Sequence, residues 1–304
     1  MVYVCSDTSL FGGVVFPIGA RVCSRSLDGG RTFATPTALF TKPVAHFTEC
    51  ASYGGEFFAA SEGAYPVAGP GGVLYVQVHC GTDHTAITYL AVSNDEAATW
   101  QLVPASRCRA GSTGPLVIPD AQELRLDARG TLYAGWTNTT TSPIRGVPFD
   151  DQPVLQMSQD GGCHWSTPIP VNPPGVVAHS PHPEANYQGT GFALPYWPEP
   201  LHDYSWFMDV AGPGQVAFNF YGTSDPTAQH WDAYVVESRN ALDTIPVFWA
   251  GVANDASKNM RAGAFLDEDG SGNEHLGLSF APDGSPWGSF TDGTNGFTGR
   301  LYWR

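Results

Sequence analysis

The sequence predicts an all-β protein, and within that class a β-propeller of four-stranded antiparallel blades. A turn motif, Ser-x-Asp-x-(Gly/Ala)-x-(Thr/His)-aromatic, occurs at residues 26–33, 93–100 and 158–165. A short run of β-branched and aromatic residues precedes each copy. Copies of one supersecondary unit at a regular interval are typical of repeat architectures, and their length favours propeller blades.

The turn motif, called the box below, has the chemistry of a tight hairpin turn. Asp can bond its own backbone, and Gly accepts a positive φ. The closing aromatic residues, Phe33, Trp100 and Trp165, are predicted to anchor each turn in the core.

The strand-like run recurs five times, which sets the predicted number of repeats. It occupies residues 2–4, 72–78, 130–136, 214–220 and 284–290. In the fourth copy, residues 238–243 replace the box and lack its Gly and aromatic residues, and the fifth copy reaches Arg304 before a box. We expect one domain over residues 1–304, either a five-bladed propeller or a six-bladed one with an upstream part missing.

Composition is typical of an all-β extracellular protein. Only 14% of residues are charged, aromatics make up 12%, and there are 35 Gly and 25 Pro, which suits turns and strands rather than helices. No apolar run is long enough to span a membrane. With 14 basic and 29 acidic residues the net charge is −15, which argues against nucleic-acid partners and anionic lipids. Met1 leads directly into a predicted strand, so we expect a secreted protein whose signal peptide has been removed.

The cysteines support the same compartment. All six lie in the first 163 residues, and none forms a CxxC pair, so disulfides are expected. Cys5 and Cys23 are predicted to lie on neighbouring strands, and Cys50 with Cys80 would link the second repeat. The alternative is buried free thiols.

The box resembles the Asp-box repeat of the sialidase-like β-propellers, including secreted bacterial proteins of the sialidase or exo-α-sialidase family. That resemblance implies a propeller whose boxes lie away from the catalytic centre and whose ligand is a glycan. Sialidases of this fold use three arginines to bind the substrate carboxylate, a Tyr with a Glu as nucleophile and base, and an Asp as the acid. Their Phe/Tyr-Arg-Ile-Pro motif is absent, since residues 15–19 read Val-Phe-Pro-Ile-Gly, and Arg21 is the nearest replacement.

The remaining arginines in predicted loops are Arg107, Arg109, Arg145 and Arg261. A carboxylate clamp requires Arg, because two parallel N–H groups match a carboxylate. Arg145 and Arg261 are the candidates for substrate binding, and the alternative for each is a solvated loop charge.

The connection over residues 173–205 has the composition of a sugar site. Aromatic rings stack on the apolar face of a pyranose, and Tyr196, Trp197 and Tyr204 are candidates for that contact. Its carboxylates can supply the pair that glycoside hydrolysis needs, and the candidate catalytic residues are Glu184, Glu199 and Asp203. The alternative is a proline-braced lid whose aromatics pack on the propeller.

No cofactor is expected to be required, although one structural metal site is predicted. His179, His182 and His202 lie in a proline-rich loop, without a helix to hold them on one face as a zinc site would need. Oxygen side chains alternate along residues 267–273 as in the first half of an EF-hand loop, and the candidate calcium ligands are Asp267, Asp269, Ser271 and Asn273. Leu278 stands where that loop has its bidentate Glu, so the alternative is a flexible acidic turn.

Ten other loop residues are candidates to face the same mouth of the central channel, although no spacing among them specifies chemistry: His46, Glu49, Asp83, His84, Asp120, Glu123, Asp150, Asp151, His230 and Asp232.

The sequence is compatible with two functions of different classes. The first is a secreted glycosidase acting on a glycan or glycoprotein at the channel mouth. The second is a non-catalytic propeller that binds a carbohydrate or a protein partner through its loop aromatics.

Overall fold

The described chain consists of short antiparallel strands, and side-chain hydrogen bonds close several of the turns between them. The computed structural model describes the following residues: 1–6, 10–11, 14–15, 22–38, 66–80, 87–119, 121, 123–143, 149–178, 206–227, 229–255, 257–260, 276–291 and 296–301. These residues contain no α-helix, and no helix among them is long and apolar enough to cross a membrane. They contain two short 3-10 segments, at Pro70–Gly72 and Ala105–Arg107.

The strands are numbered in chain order. The first fourteen are β1 (Val2–Ser6), β2 (Leu10–Phe11), β3 (Val14–Val15), β4 (Val22–Ser26), β5 (Thr37–Ala38), β6 (Val67–Ala68), β7 (Leu74–Cys80), β8 (Ile87–Ser93), β9 (Gln101–Leu102), β10 (Val117–Ile118), β11 (Glu123–Leu126), β12 (Leu132–Thr141), β13 (Phe149–Ser158) and β14 (Ile169–Pro170). The others are β15 (Val177–Ala178), β16 (Trp206–Gly212), β17 (Gln215–Thr223), β18 (Asp232–Ser238), β19 (Trp249–Val252), β20 (Gly277–Phe280), β21 (Pro286–Thr291) and β22 (Gly296–Arg300).

The described strands form five main sheets and the small β2-β3 pair. The first sheet has the order β1-β4-β5, and the second β10-β8-β7-β6 with β9 beside β8. The third is β11-β12-β13-β14. The fourth is β15-β17-β18-β19 with β16 also on β17, and the fifth is β20-β21-β22. An all-β fold of antiparallel sheets is therefore confirmed, while the blade number and four strands per blade stay predictions.

The chain divides into two compact units. Unit 1 contains Met1–Ala134 and Gln156–Thr167, and unit 2 contains Gly135–Leu155 and Pro168–Arg304. In unit 1, one apolar cluster joins the first and second sheets through Cys23, Val76 and Ala91, and a second joins the second and third sheets through Leu90 and Leu132. In unit 2 a cluster including Tyr221, Val235 and Phe290 joins the fourth and fifth sheets. Each core is thus made by two sheets facing one another.

All five strands predicted from the repeated run are present. They are β1, β7, β12, β17 and β21, and each pairs with the strand that follows it in the repeat. Four of them lie inside their sheets, and β1 is at the edge of the described first sheet. That following strand ends at the serine of a box in three copies, at Ser26, Ser93 and Ser158. The sequence periodicity therefore located both the strands and their turns.

The three boxes share one hydrogen-bond scheme. In the first, the Ser26 hydroxyl donates to Asp28 Oδ1 (2.7 Å) and accepts from the Gly30 amide (2.8 Å). The Asp28 carboxylate also accepts from the Thr32 amide (2.9 Å) and the Thr32 hydroxyl (2.7 Å). The amide and hydroxyl of Thr32 lower the pKa of Asp28 to about 2. The carboxylate is thus the hub of the turn.

The third box makes the same bonds with a different side chain. His164 stands where the other boxes have Thr32 and Thr99, and its Nδ1 lies 2.6 Å from Asp160 Oδ2. The His164 amide bonds Asp160 Oδ1 at 2.9 Å, and this amide is the main cause that lowers the pKa of Asp160 to about 2. An imidazole can therefore replace the threonine hydroxyl in this turn.

The second box keeps the turn without glycine. Gly29 and Gly30 have φ of 77° and 90°, and the corresponding Glu96 and Ala97 have φ of 59° and 66°. Left-handed backbone costs an L-residue about 1–2 kcal/mol. The Ala97 amide still bonds the Ser93 hydroxyl at 2.9 Å, and Glu96 Oε2 accepts from Arg25 at 2.9 Å. The closing bonds hold this conformation in residues that disfavour it.

The fourth repeat has a reduced box. Ser238 bonds Asn240 Oδ1 at 3.3 Å, as serine bonds aspartate in the complete boxes, and Asn240 Oδ1 accepts from the Val247 amide at 2.9 Å. The missing Gly and aromatic residues therefore change how the turn closes, while Ser238 still ends the strand.

Two of the three predicted aromatic anchors pack on a core, and one does not. Trp100 packs on the cluster between the first and second sheets, and Trp165 on the cluster between the second and third. Each therefore contacts the core shared with the preceding sheet. Phe33 is 43% exposed, so its prediction as a buried anchor is wrong. The physical reason is that Phe33 packs against none of the three apolar clusters described above.

Two disulfides are present among the described residues. Cys5 pairs with Cys23 directly across β1 and β4, as the sequence indicated. Cys108 pairs with Cys163, which ties the segment after the 3-10 turn at Ala105–Arg107 to the third box. These bonds decide against free thiols for four of the six cysteines. The predicted Cys50–Cys80 pair involves residue 50, which lies outside the described residues.

We expect Gly30→Ala to lower the free energy of unfolding by about 1–2 kcal/mol, because φ there is left-handed. The φ of Gly30 is 90°, and the nearest atom to an added Cβ, Val2 Cγ2, lies at 4.0 Å, so the cost is backbone strain rather than a clash. Urea unfolding measures it. Gly212→Ala is the matched control, since Gly212 has no positive φ and no neighbour within 4 Å. Equal losses in the two variants would contradict the expectation.

Replacing each disulfide by two serines should destabilise the chain in the order of loop length. The Cys108–Cys163 bond closes a 55-residue separation and the Cys5–Cys23 bond one of 18, for expected losses of about 4 and about 3 kcal/mol through the entropy of the unfolded chain. Urea unfolding of the two double variants compares them. A larger loss for the Cys5–Cys23 variant would oppose this account.

Candidate functional site

The residues chosen from the sequence as the site lie outside the described residues. This holds for the candidate catalytic Glu184, Glu199 and Asp203, for the stacking candidates Tyr196, Trp197 and Tyr204, and for Arg145 and Arg261. It also holds for Arg21, for His179, His182 and His202, and for the calcium candidates Asp267, Asp269, Ser271 and Asn273. These assignments stay predictions. The structure does describe the strands from which segment 179–205 departs.

That segment interrupts what is otherwise one strand of the fourth sheet. β15 and β16 both pair with β17, with Ala178 opposite Gly222 and Trp206 opposite Phe220. Gly222 and Phe220 are two residues apart, a distance of about 7 Å along a strand. The described chain therefore leaves the sheet and returns to it at neighbouring positions.

A buried carboxylate fixes the point of departure. Asp150, on β13, is 5% exposed, and its Oδ1 accepts from the Ala178 amide at 3.1 Å. Its Oδ2 accepts from Gln152 Nε2 at 2.7 Å. The carboxylate binds the last backbone amide described before the segment, so Asp150, expected at a mouth, holds a strand end in place.

A buried tryptophan fixes the point of return. Trp206 has no exposed surface, and its Nε1 donates to Thr137 Oγ1 on β12 at 2.9 Å. Its ring lies against Gly135, where an added Cβ would come within 2.7 Å of Cη2. A side chain at Gly135 would displace the indole, so this position is restricted to glycine.

A histidine and a carboxylate lie on the other side of β17. Asp232 is opposite Gly222, so Ala178, Gly222 and Asp232 form one row across three strands, about 10 Å from first to last. His230 Nε2 lies 3.1 Å from Asp232 Oδ1. The His230 and Asp232 side chains are 38% and 17% exposed. We call them the His230–Asp232 pair.

Two asparagines hold the strand that carries this pair. Asn254 Oδ1 accepts from the Ala233 amide (2.8 Å), and Asn254 Nδ2 donates to Asp232 Oδ1 (3.1 Å). Asn259 Oδ1 accepts from the Trp231 amide (2.9 Å). The backbone amides of Ala253 and Met260 bond the carbonyls of Ala233 and Trp231. The segment after β19 therefore continues the β-ladder along β18, with amide side chains in place of peptide groups.

The loop before the pair is closed from within. Asp225 accepts from the amides of Thr227, Gln229 and His230, and the bonds from Thr227 are the main cause of its lowered pKa. The Thr223 hydroxyl donates to the His230 carbonyl at 2.6 Å. Both backbone groups of His230 are thereby bonded, so the imidazole projects from a fixed peptide.

The His230–Asp232 pair and the reduced box lie at opposite ends of β18. The strand begins at Asp232 and ends at Ser238, which closes the box-like turn. Tyr234 follows Asp232 on the same face, and burial together with the Asp232 charge raises its pKa. Within the fourth sheet, the polar pair is thus at the end away from the box, where the sequence placed the site.

The other described candidates have structural positions. The Arg107 guanidinium fills the space beside Gly161 in the third box. Glu123 is 2% exposed and bonds Arg125. Asp151 has no described side chain, and His46, Glu49, Asp83, His84 and Asp120 lie outside the described residues. Among the residues that the structure describes, no group of three or more His, Cys, Asp or Glu side chains is arranged to hold a metal ion.

The sequence did not single out Asn254, Asn259 or Asp225. Their contacts depend on how the segment after β19 meets β18, and no local motif reports that. The polar run around residue 225 does carry a turn signal, since Asp225 precedes a proline. It indicates a loop and gives no reason to connect that loop with residue 254.

Comparisons with known proteins do not give a family. No family model matches the chain, and no curated protein matches it. Among solved structures, it is similar to an endo-arabinase from Bacteroides thetaiotaomicron (11% identity, TM-score 0.42, covering 94% of this chain and 87% of that one). It is also similar to a mutant of NanB sialidase from Streptococcus pneumoniae (11%, TM-score 0.41, 91% and 33%) and to an ulvan lyase (11%, TM-score 0.39, 93% and 58%). The chain spans a third of the length of that sialidase.

Asn254→Ala should lower the free energy of unfolding by about 1–3 kcal/mol, because the buried Ala233 amide loses its partner. Urea unfolding measures this loss. Lys258→Ala, an exposed change in the same segment, is the control and should stay within about 0.5 kcal/mol of the parent protein. If both variants unfold like the parent protein, the hydrogen bond from the Ala233 amide to Asn254 does not stabilise β18.

Proposed function

We propose that this chain is a secreted β-propeller that binds glycans at the strand ends opposite the boxes and hydrolyses a glycosidic bond there. The observation that carries the proposal is the position of the two described residues that border segment 179–205. Both of its described anchors, Ala178 and Trp206, lie beside β17, one strand away from the His230–Asp232 pair. The segment that is richest in aromatic and carboxylate residues is therefore tied to a rigid, polar strand end, as binding loops on stable scaffolds are.

In this proposal the residues outside the described part have named roles. Tyr196, Trp197 and Tyr204 stack on a sugar ring, and two of Glu184, Glu199 and Asp203 act as the carboxylate pair of glycoside hydrolysis. Arg145 and Arg261 contact polar or carboxylate groups of the glycan. The ligand is a glycan or a glycoprotein.

Two further parts of the proposal concern location and ions. The disulfides Cys5–Cys23 and Cys108–Cys163 support an oxidising, extracellular compartment. No cofactor is required for the reaction class, and the oxygen-rich residues 267–273 are proposed as a structural calcium site.

The second candidate is a non-catalytic module that binds a carbohydrate or a protein through the same surface. The absence of an arginine motif at residues 15–19 favours it, as does the net charge of −15, which opposes capture of an anionic substrate. Turnover separates the two candidates.

The proposal predicts that Glu199→Gln or Asp203→Asn lowers hydrolysis by about 10²–10⁴-fold, as removal of a catalytic acid or base does. Binding on a glycan array should persist in both variants and weaken in Trp197→Ala, which removes a stacking surface. Release of reducing ends from a panel of polysaccharides, with fluorogenic sialosides and other aryl glycosides beside it, gives the rates.

Asp243→Asn is the control, because Asp243 is an exposed carboxylate beside the box-like turn of the same sheet. It should leave both binding and turnover unchanged. Binding without turnover in the parent protein would select the non-catalytic module. Absence of both binding and turnover would contradict the proposed function itself.

A further inference from the structure

The geometry points to His230 as the proton acceptor of this site, with Asp232 as the residue that positions it. This inference rests on the proposed function and assigns it a group that the sequence placed only among ten loop residues without specified chemistry. The substrate class is a glycoside whose bond is broken by water.

Asp232 selects one tautomer of the His230 ring. A carboxylate can only accept a hydrogen bond, so the contact between Nε2 and Asp232 Oδ1 at 3.1 Å requires the proton on Nε2. A neutral imidazole then has its lone pair on Nδ1. No described residue hydrogen-bonds Nδ1, and the side chain is 38% exposed, so the basic nitrogen is accessible. An imidazole oriented in this way by a carboxylate is the arrangement that general bases use.

The carboxylate is itself held in place. Asn254 Nδ2 donates to the same oxygen, Asp232 Oδ1, at 3.1 Å, and the other atom of that amide binds the Ala233 backbone at 2.8 Å. A rotation of Asp232 would therefore break two bonds, to His230 and to Asn254. Such a supported pair is pre-organised, because little rearrangement is needed when a substrate arrives.

The backbone of His230 adds a second constraint. Its amide donates to Asp225 Oδ2 at 3.1 Å, and its carbonyl accepts from Thr223 at 2.6 Å. The neighbouring Trp231 is 1% exposed and packs in the core of unit 2. The backbone of His230 is therefore held next to the start of β18, while its ring is accessible to solvent.

A second His–Asp contact in the chain shows what a structural pair looks like. His164 Nδ1 meets Asp160 within the third box, at an exposed turn where the His164 side chain is 84% accessible. There the imidazole replaces a threonine hydroxyl that makes the same bond in the other two boxes. His164 needs no further role, whereas no repeat-wide turn bond accounts for His230.

In the step assigned to His230, a water molecule gives one proton to Nδ1 while its oxygen bonds to the anomeric carbon. The glycosidic C–O bond breaks, and the leaving oxygen takes a proton from one member of the proposed carboxylate pair, while the other member, as a carboxylate, stabilises the positive charge that develops at the anomeric carbon. Imidazolium and carboxylate remain and exchange their proton through solvent. Asp232 keeps the ring oriented while Nδ1 takes the proton.

The test uses the full chain and a variant that removes the base. His230→Ala should lower kcat by about 10²–10⁴-fold for whichever polysaccharide or aryl glycoside the parent protein hydrolyses, with little change in KM. Added imidazole should restore part of the rate, because it supplies the missing base in the space left by the side chain. His164→Ala is the matched control and should keep the parent rate, with or without imidazole.

Two more variants separate positioning from folding. His230→Gln can still donate to Asp232, so it should stay folded while losing the same rate. Asp232→Asn should lower the rate without rescue by imidazole. In protein labelled with nitrogen-15 at histidine, long-range proton–nitrogen spectra should show Nε2 of His230 protonated in the parent protein and a mixture of tautomers in Asp232→Asn.

Each other outcome overturns the inference in a distinct way. A folded His230→Ala or His230→Gln variant with the parent rate excludes the base, and so does a lost rate that imidazole does not restore. Glycan binding by a parent protein that shows no turnover excludes it while leaving glycan recognition intact. Absence of both binding and turnover removes the proposed function and this inference together.

Discussion

The hydrogen bonds to the aspartate carboxylate of each box are the interactions on which the described repeats depend. A single aspartate side chain accepts hydrogen bonds from the serine hydroxyl, a backbone amide and a further side chain. In this way it closes the turn after the strand that follows the repeated run. Because the bonds converge on one residue, the turn tolerates changes elsewhere. It accepts His164 for threonine and the left-handed Glu96 and Ala97 for glycine. This set of hydrogen bonds therefore determines where β4, β8 and β13 end.

In the fourth sheet, the turn that ends β18 and the polar pair at its start lie at opposite ends of one strand. β18 runs from Asp232 to Ser238, so its box-like turn and its polar pair are separated by the length of a strand. Between them lies a buried run from Ala233 to Ser238. The core also contains Asn219, which is fully buried and bonds the Phe207 amide and the Gly277 carbonyl, joining the fourth and fifth sheets. The buried residues of β18 therefore fix the positions of both ends of the strand.

Sequence reasoning succeeded where the information is local. The boxes and the five repeated strands are patterns within a few residues, and the serines that end β4, β8 and β13 follow from them. It failed for Phe33, because burial of that ring needs a neighbouring sheet. It could not connect Asn254 with Asp232, since these residues meet only through the register of β18 with the segment after β19. The sequence indicated that His230 and Asp232 lie in a loop region. It could not predict the contact between them, because that depends on the conformations of both side chains.

The interruption between β15 and β16 has a consequence for how such a chain can diversify. The points of departure and return lie about 7 Å apart, the spacing of two residues on one strand. Asp150 holds the first through the Ala178 amide, and Thr137 holds the second through the Trp206 indole. For a flexible connection, doubling the length adds only about 0.6 kcal/mol of closure entropy. Segments of different length and composition could therefore be exchanged at this point without altering the pairing of β17. The fourth sheet thus tolerates variation at this position, because the strand pairs that hold it do not depend on the length of the connection.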